Sequence, residues 1–234
     1  MQKGTKTTTY SLDWDTVMNL ESRLLRDFQN NKTKDKARAL LMISIGVRLG
    51  MRVIDNLNLK WEDLFGVQVG ERFIRIEKKT DKERILVMST KLKEVLDIVY
   101  DAHTSDPSTY ILSSQKTNGL KPMTVQSFNR ILKGILKEYK VKYIGNPSSH
   151  MLRKSWVVGS IKKGFENGDH LSLIKVSRLV GHSNVSTTLR IYTQVKSEEL
   201  FESLPQRPIT PKTDLENLKT REGNVIHYEF GTSS

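Results

Sequence analysis

Apolar residues recur along this chain mostly at helical spacing, and only briefly at the alternate spacing of strands. Trp14, Val17, Met18, Leu24, Leu25 and Phe28 repeat at three- and four-residue intervals behind Asp13, a suitable N-cap, and predict a first helix. A polar turn at 30–33 leads to a second helix through Ala37, Leu40, Leu41, Ile43 and Ile45, ending near Gly46 or Gly50. Segments 65–69, 73–76 and 85–87 are short, β-branched and bounded by glycine or charge, which predicts a small antiparallel sheet. A helix over 92–99, a loop at 101–108, a short strand at 109–112 and a turn at 116–119 follow. Phe128, Ile131, Leu132, Ile135, Leu136 and Tyr139 then trace one apolar stripe, with Arg130, Lys133, Lys137 and Lys140 on the opposite side. A further helix opens at Ser148 or Ser149 with Trp156, Val157 and Ile161 as its core face, and another runs over 171–179. The pattern predicts a mainly α protein with a small antiparallel β-sheet, an α+β fold without internal repeats.

The ends read differently. Residues 1–9 are polar and basic and read as an arm. One domain is expected over 10–204, closing with a short helix at 197–204. Pro205, Pro208 and Pro211 then break the chain into a tail, 205–234, in which 224–230 has the alternation of a strand.

Composition narrows the class of partner. The chain has 234 residues, enough to bury a sizeable core, and a net charge of +12. Such an excess favours a polyanion, most often nucleic acid. No apolar run approaches the ~20 residues that cross a bilayer, and no signal peptide opens the chain. The absence of cysteine excludes disulfides and thiolate zinc sites and fits a cytoplasmic location. His103, His170 and His227 are scattered, so no metal site is expected.

Chemistry concentrates in Pro147-Ser-Ser-His150-Met-Leu-Arg153 and Leu-Val-Gly-His182-Ser-Asn-Val-Ser-Thr-Thr-Leu-Arg-Ile-Tyr192. His150 and Arg153 lie three residues apart at a helix start, where unpaired N–H groups already favour an anion. An imidazole and a guanidinium fork on that face suit one tetrahedral phosphate. His182 ends a second apolar helix, and a tyrosine follows ten residues on. Two histidines, an arginine and a tyrosine make a phosphoryl-transfer set that needs no metal or other cofactor.

These motifs resemble the tyrosine recombinase family, the integrases of phages and mobile elements, whose signature is His-x-x-Arg, then Leu-x-Gly-His, then Thr-Thr-x-x-Tyr or a close variant. The resemblance extends upstream. Gly50-Met-Arg52-Val-Ile-Asp55, followed by Leu59-Lys-Trp61-Glu-Asp63, is similar to the family's Gly-x-Arg-x-x-Glu and Leu-x-Trp-x-Asp. Aligning Trp61 and Asp63 selects Arg52 over Arg48 as the first active-site arginine. Asp55, standing for the common glutamate, is expected to orient it. The basic hairpin Lys78-Lys79-Thr-Asp-Lys82-Glu-Arg84 is where the family places a catalytic lysine; the pattern selects Lys79 over Lys78. Lys78, Lys82 and Arg84 are expected to touch DNA backbone, as are Arg130, Lys133 and Lys137. The departures are the ten-residue spacing from His182 to Tyr192, where many members have nine, and a polar insertion at 166–170.

The resemblance covers roughly 12–204 and implies a catalytic domain that cleaves and rejoins DNA through a 3′-phosphotyrosyl intermediate. Tyr192 is the implied nucleophile, Arg52, Arg153, His150 and His182 the phosphate-binding and proton-managing groups, and Lys79 the acid for the leaving 5′ oxygen. It implies double-stranded DNA as partner, a homo-tetramer on synapsed sites, accessory DNA-bending proteins and association with the nucleoid. The N-terminal clamp domain of most members is not apparent, so the chain reads either as a piece of a longer protein or as a naturally minimal recombinase. A type IB topoisomerase and a non-catalytic DNA-binding regulator are the alternatives.

Overall fold

The computed structural model describes residues 9–103 and 106–193. The predicted helix at 197–204, the tail with its strand at 224–230, and most of the basic arm lie outside them.

Helix α1 (Trp14–Asn30) starts where Asp13 accepts hydrogen bonds from the Asp15 and Thr16 N–H groups. It buries Val17, Leu20, Leu24, Leu25 and Phe28. Helix α2 (Lys34–Arg48), capped by Thr33, is buried almost all round and forms the centre of the domain. Helix α3 (Val53–Leu57) is a single short turn behind Arg52. A hairpin of β1 (Arg72–Ile76) and β2 (Glu83–Val87) follows, antiparallel, with Ile74 opposite Ile85. Then come α4 (Thr90–His103), α5 (Val125–Glu138), α6 (Ser149–Glu166), α7 (Ser172–Leu179) and α8 (Val185–Thr193). The main core joins α1, α2, α4, α5 and the first half of α6, with Phe28, Leu40, Met42, Ile43, Phe128 and Met151 essentially sealed from solvent. A smaller cluster of Val157, Ile161, Val176 and Val180 packs the second half of α6 against α7, with Ile191 and Tyr192 of α8 leaning on it.

The mainly α architecture with a small antiparallel sheet is as expected, but the sheet has two strands. Segment 65–69 closes on itself: the Phe65 and Val67 amides bond back to Trp61 and Leu64, and Gly70 turns the chain at φ +81. Its backbone groups are spent on turns before a ladder can form. Segment 109–112 is likewise no strand. It makes one isolated bridge, Tyr110 with Lys60, a second follows just beyond it between Ser113 and Pro122, and its partners change every residue or two. Trp156, expected in the core beside Val157, packs against that smaller cluster but is only half-buried, and its ring also covers Gly50. His103 packs its ring tilted against Phe28, 5.7 Å between centroids.

Gly159 sets how closely α6 approaches α1, because a Cβ there would stand 2.3 Å from Trp14 Cε3. Gly159→Ala should therefore lower stability by about 1–3 kcal/mol through overpacking, although alanine is the better helix former. Denaturant unfolding would show it, and unchanged stability would mean that Trp14 swings aside freely.

Candidate active site

The site is built where the junction between α2 and α3 meets the start of α6, the end of α7 and the inner face of the hairpin. Gly50 ends α2 in a left-handed conformation, φ +56, with the Trp156 ring against its α-carbon. Its carbonyl accepts hydrogen bonds from two guanidinium groups, Arg153 Nη1 at 2.9 Å and Arg84 Nη1 at 3.3 Å. Arg153 Nη2 also donates to the Val180 carbonyl at 2.7 Å, where α7 runs into Gly181-His182. One buried arginine on α6 thus ties down both the loop that carries Arg52 and the loop that carries His182. Five N–H donors on the fork leave three for other work.

Arg52, half-buried, pairs with Glu77 at the end of β1. The expectation that Asp55 orients Arg52 is therefore corrected. Asp55 Oδ1 instead accepts the Lys78 backbone N–H at 2.9 Å and anchors the hairpin, because one turn of α3 points its short arm at that strand end. Arg84, expected to reach DNA backbone, is corrected too. The two-residue alternation of β2 turns it inward beside Leu86, 5% exposed, to Gly50 and to Glu77 at 3.5 Å.

Of the remaining candidates, His150 and His182 border this cluster. His150 sits in the first turn of α6. The helix opens at Ser149 behind the N-cap Ser148, as expected; no serine side chain bonds the first turn, and Asn129 of α5 accepts the Ser149 N–H at 2.8 Å. His182 places Nδ1 2.8 Å from the hydroxyl of Thr188, a buried residue of α8, which leaves Nε2 as its free ring nitrogen. Tyr192 lies one turn beyond Thr188 on the same helix face, its ring edge-on to Phe165 at 6.1 Å between centroids. Lys79 and Lys82 are exposed in the hairpin turn; Lys78 donates to Asn58 Oδ1 at 2.6 Å. Arg130, Lys133 and Lys137 are exposed along α5, beginning next to Asn129 and so next to the start of α6. A cleft of about 430 Å³ opens between the hairpin and the end of α7, lined by Glu77, Lys82, Arg84, Arg178, Gly181 and His182.

The electrostatics follow from this crowding. Burial lowers the Arg153 pKa to about 10, helped by Arg84 and Arg52; it lowers that of Arg84 as well, against the opposing pull of Glu77. Burial alone would push Glu77 up, but the Thr80 hydroxyl, Arg52 and Arg84 together hold it below the usual carboxylate range. His150 keeps an exposed edge, yet dehydration first and then Arg153, Lys154 and Arg52 lower its pKa. His182 is lowered by dehydration and then by Arg153, Arg52 and Arg84. Three arginines face two buried carboxylates, Asp55 and Glu77, and three positive charges against two negative leave one positive, the complement of one phosphodiester. Among the described residues no group of three or more His, Asp or Glu is gathered as metal ligands would be, and no helix is long and apolar enough to cross a membrane.

Sequence reasoning missed Glu77, Thr80, Thr188 and the Gly50 carbonyl. The signal for Glu77 was available: it continues past the end of β1 the inward alternation of Phe73 and Arg75.

Residues 19–199 match the model of the phage integrase family, and the chain belongs to that family. It is 31% identical over 176 residues to the TnP I resolvase of Bacillus thuringiensis, covering 74% of this chain and 54% of that protein. It is 29% identical over 191 residues to a tyrosine recombinase of Pseudothermotoga lettingae, covering 81% and 59%. The chain thus spans a little over half the length of these relatives. The fold is shared with the XerH site-specific recombinase in a post-cleavage complex with palindromic difH substrate, at a TM-score of 0.60 and 22% identity over 87% of this chain and 54% of that one. It is shared equally with XerA recombinase, at a TM-score of 0.60 and 20% identity over 86% and 68%.

The two depressed histidines give stability a pH dependence. Below the ordinary value of 6.5 the unfolded chain takes up protons at these positions that the folded chain refuses. Stability gained from them is therefore full above that pH and is lost as pH falls through it towards the folded values. The melting temperature should drop between pH 7 and 5.5, and the His150→Asn, His182→Asn double variant should drop less; an equal drop would place the titration elsewhere.

Proposed function

We propose that this chain is the catalytic domain of a site-specific recombinase of a phage or mobile element, which cuts and rejoins double-stranded DNA through a 3′-phosphotyrosyl intermediate. The observation that carries the reading is the convergence of Arg52, Arg153, His150 and His182, from segments far apart in sequence, on a pocket with one unit of positive charge in excess. Membership of the phage integrase family, and a fold shared with XerH in its post-cleavage DNA complex, support it.

In this mechanism Arg52 and Arg153 hold the non-bridging oxygens of the scissile phosphate and neutralise charge that develops in the transition state. Tyr192 Oη attacks phosphorus and gives up its proton to an imidazole of the cleft. His182 suits that task or a phosphate contact through Nε2, since Thr188 occupies Nδ1. The P–O5′ bond breaks, and Lys79 passes a proton to the departing 5′ oxygen. Lys79 suits this role better than Lys78, whose ammonium is held by Asn58. Bond energy stays in the phosphotyrosine, so the 5′ hydroxyl of another strand can reverse the step and release tyrosine. Arg130, Lys133, Lys137 and Lys82 track the backbone beside the pocket, and four copies on two synapsed sites would complete an exchange. Bending proteins would bring distant sites together.

Tyr192→Phe should abolish the denaturant-resistant protein–DNA adduct while leaving binding nearly intact; an adduct that persists moves the nucleophile elsewhere, Tyr228 first. Cleavage should continue in excess EDTA, because the arginines supply the charge that a metal ion would. Activity lost in EDTA and restored by Mg²⁺ would remove the mechanism. Lys79→Ala should lose ~10²–10⁴ in cleavage rate. DNA with sulfur in place of the bridging 5′ oxygen should restore it, because a thiolate leaves without a proton. Rescue of Lys78→Ala instead would shift the acid by one residue.

A further inference from the structure

We propose that Glu77 is a positioning residue for strand cleavage, holding Arg52 and the Lys79 turn in one register. The inference rests on the recombinase reading and adds a residue that none of the sequence motifs contains.

Glu77 directly follows β1 and continues its inward alternation, and it is 2% exposed. Its Oε2 pairs with Arg52 Nη1 and accepts the Thr80 hydroxyl at 2.7 Å, while Oε1 faces Arg84 Nη1 at 3.5 Å. The backbone of the same residue closes the turn. Its N–H donates to the Lys82 carbonyl at 3.0 Å, and its carbonyl accepts the Thr80 and Asp81 N–H groups at 3.3 and 2.9 Å. Gly181 passes close enough that a Cβ on it would lie 3.7 Å from Oε2. One residue therefore touches the arginine that precedes α3, closes the turn that presents Lys79 and borders the loop before His182.

Geometry assigns each contact a job. An arginine side chain has many rotamers, and a buried carboxylate on one Nη selects the rotamer while leaving the Nε–Nη2 edge for bidentate contact with a phosphate. The carboxylate also offsets mutual repulsion among Arg52, Arg84 and Arg153, which a pocket otherwise dry would leave large. Thr80 binds the carboxylate from inside the turn, so the turn and the arginine move together.

The test uses the full chain and three variants on two DNA substrates, one normal and one with sulfur at the bridging 5′ position. Glu77→Gln keeps the shape and an acceptor for Thr80 but removes the charge that holds Arg52. It should bind DNA as tightly as the parent or more so, melt lower because the arginines lose a buried counter-charge, and form the covalent adduct about 10²-fold more slowly on both substrates at a temperature where it is still folded. Glu77→Ala also frees the turn, so part of its larger defect should be recovered on the sulfur substrate. Glu77→Asp, which keeps the charge on a shorter arm, should fall between Gln and the parent.

Adduct formation by Glu77→Gln at the parent rate overturns the proposal. So does a parallel fall in DNA affinity, melting temperature and rate across all three variants, which marks a structural residue only. A parent protein that makes no adduct overturns the recombinase reading and this proposal with it. A parent that does, beside an indifferent Glu77→Gln, sinks only the proposal.

Discussion

The Gly50 carbonyl, shared by Arg153 and Arg84, is the contact on which the site depends. A buried carbonyl needs a donor, and a buried guanidinium needs acceptors, so each secures the other. Arg153 reaches from α6 to the end of α2 and to the end of α7 at once. The three segments that carry Arg52, Arg153 and His182 are consequently fixed by one side chain. The left-handed turn at Gly50 is what exposes that carbonyl, and the Trp156 ring against it leaves no space for a side chain. The rigidity needed for phosphate recognition is built from the group that would recognise it.

Charge balance is the second constraint. Gathering two buried arginines and a half-buried third is unfavourable unless carboxylates accompany them. Asp55 and Glu77 supply two, and both are used twice: Asp55 anchors the Lys78 amide, and Glu77 binds Thr80. The remaining excess is small, which keeps the pocket foldable when empty and receptive to a single anion. Both histidines are held towards their neutral forms first by burial and then by this field, since a proton on either would enter surroundings that are already positive.

The helices were legible in the sequence because their apolar positions repeat over many residues and their caps are Asp13 and Thr33. The catalytic candidates His150, Arg153, His182 and Tyr192 were legible because short motifs fix them to the start of α6, the turn after α7 and the end of α8. Less visible was anything decided by pairing across the fold. Segment 65–69 has the alternation of a strand, but its turn bonds with Trp61 and Leu64 are local and stronger competitors than a third ladder. Arg84 stands in a cationic turn and looks solvated; only the register of β2, Arg84 inward with Leu86, reveals it as part of the core of the site. Asp55 follows Arg52 at a spacing that suits an ion pair, yet Arg52 finds Glu77, a partner across the sheet edge that helical spacing could not show.

A structure of the protein on nicked DNA with orthovanadate at the break would test the arginine cluster most directly. Vanadate should sit between Arg52 and Arg153, within hydrogen-bond reach of His150 and His182, with Tyr192 Oη apical and Lys79 on the opposite side. The Gly50 carbonyl should still be held by Arg153 and Arg84. Vanadate bound away from Arg52 and Arg153, or Arg153 detached from Gly50 in the bound state, would contradict a site whose phosphate ligands are also its scaffold.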